Sequence, residues 1–208
     1  MWNRTENKVT LALIRHGETQ ANQERRYLGR TDERLSKSGM EMLLTYKKQQ
    51  LYPKISYLFS SPMKRCLETA KILYPQCKPI VIQEWTEIDF GEFEYKNYQQ
   101  LKDNAKYQAW MDSGCVQAFP GGESRDDFII RCKKGFDSIC EWLQQALEQT
   151  GQKSVCAGAI VHGGTIMALL ASKGGIDYYD YQVAAGRGYL CRITELEHYV
   201  RIKEIANI

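Results

Sequence analysis

The chain has no apolar run approaching the roughly 20 residues that cross a bilayer. Its opening stretch, Met1-Trp2-Asn3-Arg4-Thr5-Glu6-Asn7-Lys8, lacks the apolar centre of a secretory signal. It has no Cys-x-x-Cys pair. Its cysteines, at 66, 77, 115, 132, 140, 156 and 191, are odd in number, and several fall inside apolar helix or strand patterns. That usage fits reduced, buried thiols in a cytoplasmic protein better than a disulfide framework. Neither sign of charge dominates: 28 Lys and Arg face 25 Asp and Glu, a formal net of +3. With no basic stripe interleaved with aromatics, neither nucleic acid nor an anionic membrane is expected as a partner. Repeats and low-complexity segments are missing. So is the Gly-x-x-x-x-Gly-Lys-Ser/Thr loop of nucleoside triphosphatases. Histidine is scarce, with three in 208 residues: His16, His162 and His198.

What is present is ordinary globular composition, 43% apolar and 25% charged, at a length that predicts one domain over 1–208. Strand and helix patterns alternate, which argues an α/β fold. Val9–Ile14 is a continuous apolar run of the kind that forms a strand buried on both faces. Ser36 precedes a helical stretch to about Gln50, with Met40, Leu43 and Leu44 on one face. Ile55–Phe59 reads as a second strand, with Pro62 at the first position of a helix to about Leu73. Pro79–Gln83 reads as a short third strand. Residues 91–122 are rich in aromatics and read as an inserted, partly helical cap over the sheet edge. There Tyr98, Leu101 and Ala105 are spaced to pack on the domain. Ser124 is placed to cap a long helix to about Gln149, whose core stripe is Phe128, Cys132, Phe136, Ile139, Cys140, Leu143 and Leu147. Ser154–Val161 is a small-residue, central strand, followed by a helix to about Ser172. Tyr189–Thr194 and Tyr199–Ile205 read as strands near a sheet edge.

The chemistry sits where strands end. The first strand runs into Arg15-His16-Gly17-Glu18-Thr19 and the central strand into His162-Gly163-Gly164-Thr165. Ligands of open α/β sheets bind outside the carboxyl ends of the strands, so these two histidines are expected in one crevice. His198 has no such context and is expected on the surface. Arg65, in the first turn after Ser60-Ser61-Pro62, is expected to reach the same crevice, beside free helix N–H groups that favour an anion. Two arginines and two histidines suit a tetrahedral dianion. Phosphoryl transfer asks for positioning and charge neutralisation, so no metal or other cofactor is called for. A phosphate ester also needs a proton on its leaving oxygen. Glu87 is the best-placed carboxyl; Asp89 and Glu84 compete.

These residues resemble the histidine phosphatase, or phosphoglycerate mutase-like, superfamily. The likeness covers almost the whole chain in six ordered blocks. They are Arg15-His16-Gly17-Glu18-Thr19 with Asn22; Gly29-x-Thr31-Asp32-x-x-Leu35-Ser36 before Gly39; Ser60-Ser61-Pro62-x-x-Arg65 with Thr69-Ala70; Glu87-Ile88-Asp89-Phe90-Gly91; Gly121-Gly122-Glu123-Ser124; and Val161-His162-Gly163-Gly164. The resemblance implies a three-layer α/β/α sandwich on a largely parallel sheet, with a small helical cap. It also implies roles. His16 is the nucleophile and forms a phosphohistidine that water hydrolyses. Glu87 is the acid and base. Arg15, Arg65 and His162 bind phosphoryl oxygens, assisted by Asn22 and Gly163.

Within the superfamily the likeness runs to the α-ribazole phosphatases of cobalamin assembly. It rests on His16-Gly17-Glu18-Thr19-Gln20-Ala21-Asn22, Asp89-Phe90-Gly91-Glu92-Phe93-Glu94, and Tyr107-x-Ala109-Trp110 ahead of Gly121-Gly122-Glu123. The reaction expected is metal-independent hydrolysis of a small phosphate ester. A broad-specificity phosphatase and a phosphoglycerate mutase are the alternatives. Two departures matter. Mutases of the family carry an Arg directly after the acid, where this chain has Ile88 and then Asp89. Leu28 stands where some broad-specificity members place a polar side chain.

Overall fold

Val9, Leu11, Ala12, Leu13 and Ile14 are fully buried, and alternate residues of this strand enter two separate cores. Leu11 and Leu13 join one cluster; Ala12 and Ile14 join the other. A strand that is apolar on both faces needs a helical layer on each side. The computed structural model supplies both. It describes residues 8–171, 178–196 and 199–208, and of residues 194–206 the backbone alone; the expectations for Ser172 and His198 lie outside this set.

In chain order the elements are β1 (Lys8–Arg15), α1 (Gln20–Gln23), α2 (Lys37–Lys48), β2 (Tyr57–Ser60), α3 (Lys64–Leu73), β3 (Ile80–Val81), α4 (Tyr98–Leu101), α5 (Ala105–Asp112), α6 (Arg125–Thr150), β4 (Ser154–Val161), α7 (Gly163–Ala171), β5 (Gly188–Leu196) and β6 (Tyr199–Asn207). The sheet order is β3-β2-β4-β1-β5-β6. The first four strands are parallel, and the C-terminal pair runs antiparallel at the edge. Helices α6 and α7 build the first core, with the whole predicted α6 stripe buried in it. Residues of α2 and α3 build the second. Ser124 caps α6 by accepting from the Asp127 N–H at 3.0 Å. The architecture is the α/β/α sandwich that the sequence implied. Among the described residues no helix is long and apolar enough to cross a membrane, and no cysteine is in a disulfide.

Four local expectations differ from the structure. Helix α2 packs through Gly39 and Leu43, while Met40 and Leu44 are 38% and 48% exposed. A Cβ at Gly39 would collide with the Glu18 carbonyl oxygen. That close approach rolls the helix so its glycine faces inward. Helix α3 begins at Lys64 rather than Pro62, because Ser61–Met63 forms a bend held by the Ser61 hydroxyl, which accepts from the Met63 N–H at 3.4 Å. The second strand starts at Tyr57 and the third is two residues long; Gln83–Trp85 turns away as a 3₁₀ helix and buries Trp85. In the 91–122 segment Leu101 is buried but Tyr98 and Ala105 are exposed. Asn104 caps a new helix at Ala105, so the three residues do not share one helical face.

Candidate active site

Strand register brings the histidines together. In the parallel β1–β4 pair, Ile14 lies opposite Ile160 and Arg15 opposite Val161. His16 and His162 therefore leave adjacent strands at the same level. The His16 N–H donates to the Val161 carbonyl at 2.9 Å, and the two rings meet edge-on with centroids 5.1 Å apart. Beside them opens a cavity of about 490 Å³ lined by Arg15, His16, Asn22, Glu87 and Gly163, with Leu28 on its apolar side.

The protons on His16 follow from its partners. Nδ1 lies 2.7 Å from the Gly17 carbonyl oxygen, which can only accept, so Nδ1 carries hydrogen. Nε2 of the neutral ring is then left with its lone pair. Burial, followed by the charges of Arg65 and Arg15, holds the ring's pKa well below its ordinary value of 6.5. The neutral, nucleophilic form thus prevails at physiological pH. Gly17 is fastened in turn: its N–H donates to Thr69 Oγ1 at 3.0 Å, tying the end of β1 to α3.

Arg15 has one firm partner, the Val183 carbonyl, reached by Nη1 at 2.7 Å. Its Nε is buried with no hydrogen-bond partner among the described residues. A buried donor left unsatisfied is costly, and an anionic oxygen beside it would remove that cost. Glu87 is nearly buried on the same cavity wall. Its Oε1 accepts from the Ile88 N–H at 3.0 Å. Burial raises its pKa, against the pull of the Ile88 N–H, Arg65, Arg15 and the Gly164 N–H. A carboxyl of raised pKa is suited to act as a general acid. A Cβ at Gly164 would lie 2.5 Å from Oε1, so only glycine lets α7 open this close to the carboxyl. The competing carboxyls lie elsewhere. Glu84 faces Lys134 at 3.8 Å, and Asp89 accepts from the Gly91 N–H at 2.9 Å.

Arg65 and His162 are fully buried and are not on the cavity wall. Arg65 sits one hydrogen bond behind that wall, through His162, whose ring meets His16. Its Nη1 and Nη2 donate to the Thr31 and Gly29 carbonyls, both at 2.9 Å, and its Nε donates to His162 Nδ1 at 3.3 Å. His162 Nε2 pairs with the Ser61 hydroxyl at 2.7 Å. Its pKa is also well below the usual value, through burial and then Arg65. Nor is the start of α3 free for an anion, since the Lys64 N–H donates to Asp32 Oδ1 at 2.7 Å. Asn22 does reach the cavity. Its carboxamide oxygen accepts from the Thr19 N–H at 3.2 Å in a capping box, so its amide nitrogen is the group it has to offer a ligand.

Several supporting residues had no role legible in the sequence. Arg131 donates to Glu123 at 2.9 and 2.7 Å and to the Thr86 carbonyl at 2.7 Å, bracing the loop that carries Glu87. Glu94 Oε1 accepts from the Gly29 and Thr31 N–H groups at 2.9 and 3.0 Å, holding the loop whose carbonyls hold Arg65. Gln182, Val183 and Ala184 close one side of the cavity. Among the described residues no three His, Cys, Asp or Glu side chains are grouped so as to hold a metal ion; the cation on the cavity wall described is the Arg15 guanidinium.

A mostly parallel sheet covered on both faces, with two histidines level at its carboxyl edge, defines the class: an α/β enzyme of the phosphoglycerate mutase-like fold. The particular family follows from comparison with known proteins. The chain belongs to the histidine phosphatase superfamily (branch 1), whose family model matches residues 11–206. It is 28% identical over 167 residues to phosphoglycerate mutase-like protein 4 of Arabidopsis thaliana, covering 76% of this chain and 68% of that protein. Among solved structures it resembles a phosphoglycerate mutase of Thermus thermophilus, with TM-score 0.67, 27% identity and coverage of 94% of this chain and 97% of that one. The α-ribazole phosphatase of Shigella flexneri shares the fold, with TM-score 0.73, 23% identity and coverage of 93% and 94%.

Proposed function

We propose that the chain is a metal-independent phosphomonoesterase that works through a phosphohistidine on His16. The observation that carries this reading is the tautomer of His16. Its Nδ1–H is tied to the Gly17 carbonyl, which leaves the Nε2 lone pair free beside a cavity walled by a part-unsatisfied guanidinium and a carboxyl of raised pKa. In the first step Nε2 attacks phosphorus. The bond to the leaving oxygen breaks, and Glu87 supplies that oxygen's proton. Arg15, with the Asn22 amide and the Gly163 backbone, takes the phosphoryl oxygens. Arg65 contributes positive charge from behind His16, and the neutral His162 ring orients it. In the second step the Glu87 carboxylate takes a proton from water, which attacks phosphorus and returns the electron pair of the P–N bond to His16.

For the substrate, the reading is α-ribazole 5′-phosphate, the intermediate of cobalamin nucleotide-loop assembly. Its support is the run from His16 to Asn22 together with the Asp89–Glu94 block. A phosphoglycerate mutase must hold a bisphosphate. Here the residue after Glu87 is the buried Ile88, and the cavity wall described carries one cation, Arg15.

The test is hydrolysis, in EDTA, of α-ribazole 5′-phosphate, 3-phosphoglycerate, sugar phosphates and p-nitrophenyl phosphate, with acid-labile, alkali-stable phosphoprotein trapped in parallel. Turnover in EDTA with phosphate on His16, both lost in His16→Ala, is expected. Turnover retained by His16→Ala overturns the mechanism. A kcat/KM for α-ribazole 5′-phosphate within about tenfold of the other esters, roughly 1.4 kcal/mol of discrimination, removes the named substrate.

A further inference from the structure

A second cavity, of about 410 Å³, adjoins the first, and both are lined by Glu87, Phe90, Gly164 and Met167. Its walls include Tyr27, Tyr107, Trp110, Met111, Cys115 and Phe119. These rings form a connected array: Trp110 lies 4.9 Å from Phe119 and 5.9 Å from Tyr107, each tilted by about 30°. Their polar atoms are already used. The Trp110 indole N–H donates to the Gln117 carbonyl at 3.1 Å. The Tyr27 and Tyr107 hydroxyls pair with each other at 3.1 Å. The wall they form is therefore mostly ring carbon, with few polar groups to read the edge of a ligand. Among the described residues of the wall, the one cation, Arg125, lies over the Tyr178 ring at 5.6 Å.

In-line displacement puts the leaving oxygen opposite His16 and beside the group that protonates it. That group is Glu87, and Glu87 is where the two cavities meet. We propose that the aromatic chamber is the alcohol subsite of this enzyme. It takes a neutral alcohol bearing a planar, apolar-edged ring, both as leaving group and as acceptor of the phosphoryl group from His16. The inference rests on the phosphohistidine reading above. By microscopic reversibility, an alcohol seated in the chamber replaces water in the second step. Its proton passes to the Glu87 carboxylate, its oxygen bonds to phosphorus, and the electron pair of the P–N bond returns to Nε2. The net reaction is exchange of one alcohol for another on the phosphoryl group, with no other reactant.

The experiment supplies p-nitrophenyl phosphate as donor and compares 2-phenylethanol with ethanol as acceptor, measuring p-nitrophenol and inorganic phosphate together. At about 10 mM 2-phenylethanol the ratio of p-nitrophenol to phosphate is expected to rise to roughly 2 or more, because a held alcohol competes at high effective concentration. The difference should appear as 2-phenylethyl phosphate. Equal ethanol should leave the ratio near 1. Met111, 44% exposed on the chamber wall, is the residue with which to narrow it, and Met111→Trp should return the phenylethanol ratio toward 1. A ratio that stays near 1, or that rises equally with both alcohols, overturns the alcohol subsite while leaving hydrolysis through His16 intact. Absence of p-nitrophenol release, or release that persists in His16→Ala, instead overturns the phosphohistidine reading and this inference with it.

Discussion

Gly164→Ala separates the acid from the rest of the site. Gly164 is the second residue of α7, where alanine is intrinsically favoured by up to about 1 kcal/mol. Its new Cβ would stand 2.5 Å from Glu87 Oε1 and 3.2 Å from a ring carbon of Phe128. The carboxyl must retreat by about an ångström, which strains its bond from the Ile88 N–H. A displacement of that size at a reacting group costs on the order of 10²-fold, about 2.7 kcal/mol of barrier. The loss should depend on the leaving group. An alkyl phosphate needs Glu87 to protonate its departing oxygen, whereas p-nitrophenolate leaves with little help. We therefore expect kcat/KM to fall roughly 100-fold for alkyl phosphates and less than about tenfold for p-nitrophenyl phosphate, with Tm unchanged or raised. Equal losses on both ester types, or no loss on alkyl esters, would refute the placement of Glu87 as the acid.

Other outcomes follow from the same geometry. The kcat/KM profile, corrected for substrate ionisation, should rise through a pKa below the ordinary 6.5 of His16 and fall through one above the usual carboxylate range; Glu87→Gln should abolish the falling limb. His16 and His162 have depressed pKa values in the folded state, so the stability they contribute is complete above about pH 6.5 and is lost as pH falls through their folded values. Glu87, raised, opposes them, and the net of one to two protons predicts a loss of about 1.4–2.7 kcal/mol per pH unit in that window; a urea midpoint flat from pH 7 to 5 would contradict it. Glu94→Ala frees the Gly29–Thr31 loop that grips Arg65 and should cut kcat about tenfold, with substantial recovery in Glu94→Gln, whose oxygen can still accept; an unchanged kcat in the alanine variant would dismiss this role. Ser124→Ala removes the α6 cap and should cost about 1 kcal/mol in denaturant unfolding without altering kinetics.

The elements that were legible in the sequence are those whose pattern repeats over neighbouring residues. The apolar runs of β1 and β4 and the seven-residue stripe of α6 emerged as read, since burial on one helical face or on both strand faces imposes a local period. His16 and His162 stand out because strand ends announce themselves as apolar runs breaking into polar residues; Glu87 follows a 3₁₀ turn and carries no such mark. The face of α2 was misread, because a backbone approach at Gly39 outweighed its apolar side chains. The aromatic segment was legible as an unusual composition and not as a chamber.

Only the tertiary structure decided how these parts act together. Sheet register, pairing Arg15 with Val161, is what makes two histidines one site. The carbonyls that hold Arg65 and Arg15 come from Gly29, Thr31 and Val183, the last 168 residues away from its partner. A backbone carbonyl carries no residue identity, so no side-chain pattern marks it in advance. The support of the catalytic groups, and the meeting of two cavities at Glu87, are therefore properties of packing between distant segments. The two histidines, Glu87 and the strands that carry the histidines were already written in local sequence.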